Sequence, residues 1–141
     1  MEKLLQDILN ADRFLFQFHI TVTRAEPGFL ELSLPVSENL MRPGDIMNGG
    51  AIMAVMDAAG GLCSLTTGDV ANEVTVSLTC SFLRPVPGGM VHVAVKLLKR
   101  GGSLDFCRIE MTDERGEILA EANGVWKVTR AKSQERLSHS T

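Results

Sequence analysis

The chain has 141 residues, 45% of them hydrophobic and 22% charged, and a formal net charge of −3. That length suits one domain around one core, and the apolar content excludes wholesale disorder. The acidic balance, with a pI near 5.6, leaves no basic footprint for nucleic acid, and no run of roughly 18 apolar residues exists to span a membrane.

Residues 1–12 place Glu2, Lys3 and Asp7 among apolar side chains, which is not the pattern of a secretory leader. Leu4, Leu5, Ile8 and Leu9 recur at helical spacing, so a short amphipathic helix is expected over 3–12. The period then changes to two. Phe14, Phe16, Phe18, Ile20 and Val22 alternate with Leu15, Gln17, His19, Thr21 and Thr23, which predicts a strand. Glu26-Pro27-Gly28 is a turn signal, and Leu30, Leu32, Leu34 and Val36 form a second strand of a hairpin.

Residues 37–47 read as irregular around Pro43-Gly44. From Asn48 to about Thr66 a helix is expected, with Asn48 as N-cap and Gly68 as the stop. It is apolar nearly all round, so it should be buried on most sides. Gly60 and Gly61 weaken it by about 1 kcal/mol each relative to Ala, which requires an offsetting close contact.

After Gly68 the pattern is strand throughout. Val74, Val76, Leu78, Cys80 and Phe82 alternate with Thr75, Ser77, Thr79 and Ser81. Pro85-Val86-Pro87-Gly88-Gly89 leads to a strand through Val91, Val93, Val95 and Leu97. Arg100-Gly101-Gly102-Ser103 and Asp113-Glu114-Arg115-Gly116 are turns between further strands at 104–111 and 117–128. Residues 129–141 read as a polar, flexible tail. The order is helix, hairpin, long helix, four-strand meander, which predicts an α+β domain over 1–128. One helix cannot cover both faces of six strands, so a curved antiparallel sheet wrapped around one long central helix is expected, the layout of a hotdog fold.

The three cysteines, Cys63, Cys80 and Cys107, are odd in number and widely spaced, which favours buried thiols in a reducing compartment and a cytoplasmic location. His19, His92 and His139 have no metal-ligand spacing with them, so no metal site is expected.

The segment Asn48-Gly49-Gly50-Ala51-Ile52-Met53-Ala54-Val55-Met56-Asp57 carries the chemistry. Paired glycines at a helix start bring bare amides close to a ligand, and a lone carboxylate among apolar neighbours is costly unless used. A dipole-backed donor and an isolated carboxylate are two parts of an acyl-transfer or hydrolysis site.

Asn48-Gly49-Gly50 with downstream Asp57 resembles the His-Gly-Gly helix start and acid of hotdog acyl-CoA thioesterases, most nearly the phenylacetate-degradation type. Glu73-Val74-Thr75-Val76-Ser77-Leu78-Thr79-Cys80-Ser81-Phe82-Leu83-Arg84-Pro85 resembles the strand that follows there, at the same interval. The likeness covers about residues 14–128. It implies hydrolysis of an acyl-CoA to a free acid and coenzyme A, with no cofactor beyond the coenzyme A of the substrate. By the same resemblance Asp57 is the general base or nucleophile, the Gly49 amide polarises the carbonyl, and Thr75 positions the water or carboxylate. Asn48 stands where the family has His, so it can donate a hydrogen bond to the leaving thiolate but not carry a proton. Arg42 stands near a position where many members have Asn. Gly50, Arg42, Arg84 and Arg100 are expected at the substrate, with Arg84 and Arg100, at strand ends, suited to the coenzyme A phosphates.

From Gly49 to Asp57 is eight residues, about 12 Å along a helix. One carbonyl cannot meet both groups of one chain. The motif therefore predicts a homodimer with shared sites, and the resemblance extends this to a tetramer built as a dimer of dimers. Two further readings stand beside hydrolysis. A non-catalytic acyl-CoA binder is suggested by Asn48, and an acyl-thioester dehydratase, which needs a His and an acid in one site, is disfavoured because the loop around Pro43-Gly44 offers Met41 and Arg42 but no His. Asn48 also suits plain helix capping, and the two glycines plain packing.

Overall fold

The computed structural model describes residues 1–131. Its elements are helix α1 (Glu2–Ala11), strands β1 (Thr21–Glu26) and β2 (Phe29–Pro35), a two-residue ladder β3 (Met41–Arg42) with β4 (Ile46–Met47), helix α2 (Gly49–Leu65), and strands β5 (Val70–Phe82), β6 (Met90–Arg100), β7 (Leu104–Thr112) and β8 (Ile118–Arg130). Six strands form one antiparallel sheet in the order β1-β2-β6-β7-β8-β5. Helix α2 packs against β2, β5, β6, β7 and β8, the hotdog arrangement.

The sheet and helix share one core. Leu30, Leu32 and Leu34 of β2, Val91, Val93 and Val95 of β6, and Ile109 and Met111 of β7 meet Val55, Met56 and Ala59 of α2, all fully buried. Gly60 and Gly124 flank the buried Trp126 ring, and neither position has room for a methyl group. That is the close contact that the weak glycine helix required.

Four expectations are corrected. The predicted strand from Phe14 begins only at Thr21, and Leu15–Phe18 is a 3-10 turn. Asp12 Oδ1 accepts from the Phe14 and Leu15 amides at 2.9 Å, and His19 is left-handed at φ 53°. This local capping overrides the alternation, which governs only from Ile20 on. Next, the four-strand meander is only β6-β7-β8. The connection after Phe82 carries the chain back to β2, so β5 ends at the opposite edge, beside β8.

The even alternation along β5 is also broken. Thr75 pairs with Trp126 and Ser77 with Val125, a bulge that shifts the side-chain parity. Finally, Thr129 and Arg130 continue β8 instead of opening a tail, because Arg130 is drawn into an ion-pair cluster. It donates to Asp105 Oδ1 at 2.5 Å and to Asp69 Oδ1 at 3.0 Å. The rest of the expected tail, 132–141, lies outside the described residues.

The two sheet edges differ. Beside β1, the Gln6 amide of α1 donates to the Ile20 carbonyl and its oxygen accepts from the Val22 amide at 2.7 Å, while Glu2 accepts from Ala25. Leu5 and Leu9 are buried beneath α1, while Leu4 and Ile8 face out. The free edge of β5 has no such cover among the described residues, and Val74 and Val76 on it are each 58% exposed. An exposed apolar edge strand is a template for pairing with another chain.

Candidate active site

Asn48 adopts an extended backbone and its side-chain oxygen accepts from the Gly50 amide at 2.7 Å. This is the capping role of that residue type. Gly49 then occupies the first helical position, where an N–H has no partner within the helix. No hydrogen bond to it is made among the described residues.

Asp57 lies two turns further on, half-buried. The bulge in β5 turns Thr75 toward α2, and its hydroxyl donates to Asp57 Oδ1 at 2.6 Å. The second Asp57 oxygen has no hydrogen-bond partner among the described residues. A cavity of about 310 Å³ opens here. One stripe of α2 lines it (Ala54, Asp57, Ala58, Gly61, Leu62, Leu65), with Leu9 and Phe14 facing it from the N-terminal segment and Glu73 and Thr75 from β5. The apolar lining with few polar groups is the character of a small-molecule site.

A second cavity, also about 310 Å³, lies at the start of α2 and is lined by Gly49, Arg42, Ile52, Phe82, Arg84 and Pro85 among others. The Phe82 ring stands against Gly49, where a Cβ would lie 3.7 Å away. A larger depression, about 550 Å³, adjoins it through Arg84, Pro85 and Val86, and is formed by the β5–β6 and β7–β8 connections. It holds neither Asp57 nor Gly49. The Asp57–Thr75 pair and the 550 Å³ depression therefore do not coincide.

The sequence-predicted residues thus divide. Asp57 and Thr75 are brought together. Gly49, Arg42 and Arg84 meet in the second cavity, with Arg84 also paired to Glu117 at 2.5 Å. Asn48 and Gly50 border a shallow depression on the other side of the helix start, beside Phe14 and Asn39. Arg100 is brought to none of these; it pairs with Asp69 in the Arg130 cluster. Burial works against Asp69, but hydrogen bonds from Thr67 and Arg100 and the charges of Arg130 and Arg100 hold its carboxyl below the usual range. His19 and His92 are in neither 310 Å³ cavity. Among the described residues no three His, Cys, Asp or Glu side chains converge to hold a metal ion.

Glu73 was not singled out from the sequence. It is half-buried, and burial, then the neighbouring Asp57 charge, push its carboxyl above the usual range. The available signal was its place two residues before Thr75, on the same strand face. Cys80 also faces this region, its thiol pushed up by burial and by Asp57.

A family model described as the thioesterase superfamily matches residues 44–120, spanning α2 and the strand β5 that holds Thr75 and Phe82. Among curated proteins, one from Thermoplasma acidophilum, designated an esterase by inference, is 37% identical over 126 residues, covering 89% of this chain and 96% of that protein. The proofreading thioesterase EntH of Klebsiella pneumoniae is 31% identical over 98 residues, covering 69% of this chain and 72% of its own. Among solved structures, the thioesterase HI1161 of Haemophilus influenzae superposes with a TM-score of 0.83 at 18% identity, covering 92% of this chain and 91% of that one. At that identity the superposition speaks to fold alone.

Proposed function

The chain belongs to the thioesterase superfamily, and from that premise we propose that it hydrolyses acyl-CoA thioesters, with Asp57 of one subunit and Gly49 of another in each site. The observation that carries this reading is the Thr75–Asp57 hydrogen bond at an apolar cavity. It fixes one carboxylate oxygen and leaves the other to take a proton from water. The water oxygen then bonds to the thioester carbon, and the carbonyl oxygen gains the charge. The unpartnered Gly49 amide, backed by the α2 dipole, is suited to stabilise that oxyanion. Collapse breaks the C–S bond, and the departing coenzyme A thiolate takes back the proton that Asp57 removed from water. Arg42 and Arg84 beside Gly49 suit the phosphates of coenzyme A.

Within one chain the two halves lie about 12 Å apart. The uncovered β5 edge supports a homodimer. Antiparallel pairing of two such edges about a twofold axis would carry the Phe82 end of one chain, which rests on Gly49, toward the first half of the partner's β5, where Thr75 lies. The tetramer would be a further step beyond the unit this chemistry needs. An acyl-thioester dehydratase needs a His in the site, and neither cavity contains one.

The test is a hydrolysis screen over short, medium, long and aryl acyl-CoAs, phenylacetyl-CoA included, read by thiol release beside Asp57→Ala. Turnover by the wild type and its loss in the variant is the expected result. Tight acyl-CoA binding without turnover would replace the enzyme with a non-catalytic binder.

A further inference from the structure

Glu73 has no role in the hydrolysis just outlined, yet it lies inside the Asp57 cavity. Its carboxylate rests against the bare backbone of Gly61, where a Cβ would meet Oε2 at 2.8 Å. Neither oxygen has a hydrogen-bonding partner among the described residues, and the one charged group acting on it is the like charge of Asp57. A half-buried carboxyl at an apolar cavity wall, with no partner among the described residues, is costly unless a ligand supplies the donor.

Two independent rulers place it. Gly61 follows Asp57 by four residues, about 6 Å along α2. Glu73 precedes Thr75 by two residues, about 7 Å along β5. Both put the Glu73 carboxyl roughly 6–7 Å beyond the catalytic carboxylate, toward Leu62 and Leu65. An extended chain advances about 1.2 Å per bond, so this is the place of an acyl atom about five bonds past the carbonyl. The ionisable groups facing the cavity are Asp12, Asp57 and Glu73, with no Lys, Arg or His among the lining residues. An anionic acyl terminus would find only like charge there.

We propose that Glu73 selects acyl groups carrying a hydrogen-bond donor, a hydroxyl or an ammonium, on the carbon about five bonds beyond the thioester carbonyl, and rejects acyl groups carrying a carboxylate there. This rests on the hydrolytic reading of the site. The donor satisfies the Glu73 oxygen that the fold leaves open, and the apolar stripe of α2 holds the methylenes between.

The test is a matched series of coenzyme A thioesters: hexanoyl, 6-hydroxyhexanoyl, 6-aminohexanoyl and adipyl. kcat/KM is measured for the wild type, Glu73→Gln and Glu73→Leu. The wild type should prefer the hydroxyl and ammonium compounds over hexanoyl by about tenfold or more, the weight of a hydrogen bond to a carboxylate. Adipyl should fall below hexanoyl. In Glu73→Leu the preference should collapse, and in Glu73→Gln the ammonium preference should fall further than the hydroxyl preference. Equal or better use of hexanoyl by the wild type, or a preference that survives in Glu73→Leu, would overturn the proposal. Binding of the four compounds to Asp57→Asn, measured by calorimetry, reads the same ranking without turnover, so failure of selectivity is distinguishable from failure of hydrolysis.

Discussion

The Thr75 hydroxyl donates to Asp57 Oδ1 at 2.6 Å, joining residues 18 positions apart across strand and helix. Nothing else hydrogen-bonds that carboxylate among the described residues, so its orientation depends on one donor. Thr75→Ala should lower kcat/KM by about 10- to 100-fold, the range for a lost hydrogen bond to a charged group. Thr75→Ser keeps the hydroxyl and should retain most of the activity. Thiol release under first-order conditions measures both, and equal rates in the two variants would remove Thr75 from the site.

Gly60 faces the fully buried Trp126 ring, and Gly124 lies as close to it. Gly60→Ala would gain about 1 kcal/mol of helix propensity but overpack a ring that has nowhere to move. A net loss of about 2 kcal/mol is expected in urea unfolding. A variant more stable than wild type would show that the ring is not tightly held.

Arg130 is the charge partner of the fully buried Asp105. Arg130→Met strands that carboxylate and should cost about 3–5 kcal/mol. Adding Asp105→Leu removes the stranded charge and should recover most of the loss. Two losses that simply add in chemical denaturation would contradict the pairing.

Glu73 gives the protein a pH signature. Its folded-state carboxyl lies above the ordinary value of 4.5, first through burial and then through Asp57. A raised acid binds more protons folded than unfolded, so the stability it contributes is complete below 4.5 and is lost as pH rises through the folded value. The stability of wild type relative to Glu73→Gln should therefore fall as pH climbs from below 4.5. A pH-independent difference would mean that Glu73 is solvated.

The hydrophobic pattern made α2, β2 and the strands from β6 on legible, because the strands bury one face, and α2 most of its surface, in a common core. It misread Phe14 to Phe18, where the short-range hold of Asp12 on two amides outweighs the alternation. It could not place β5, since edge position follows from the connection after Phe82 and not from residues within the strand. For the site, Asp57, Gly49 and Thr75 stood out, yet Thr75 read as one hydroxyl among four on a polar face. The bulge between Thr75 and Ser77 separates it from the others, and a one-residue bulge leaves no trace in an alternating pattern. Glu73 was hidden for the same reason. Arg100 looked available for phosphate at a strand end, and only the fold shows Asp69 beside it.

The shared site is tested most directly by hybrid dimers. Gly49→Pro deletes the one amide N–H at the first helical position, where proline fits and where the extended Asn48 before it is compatible. Asp57→Ala removes the carboxylate, and each variant alone should be inactive. Co-produced in one cell, the two should form mixed dimers in which one of the two sites is whole. With random pairing, activity should return to about a quarter of wild type, since half the dimers are mixed. Activity that stays at the level of the separate variants, with mixed dimers demonstrated by differential tags, would contradict a site built from Gly49 of one chain and Asp57 of another.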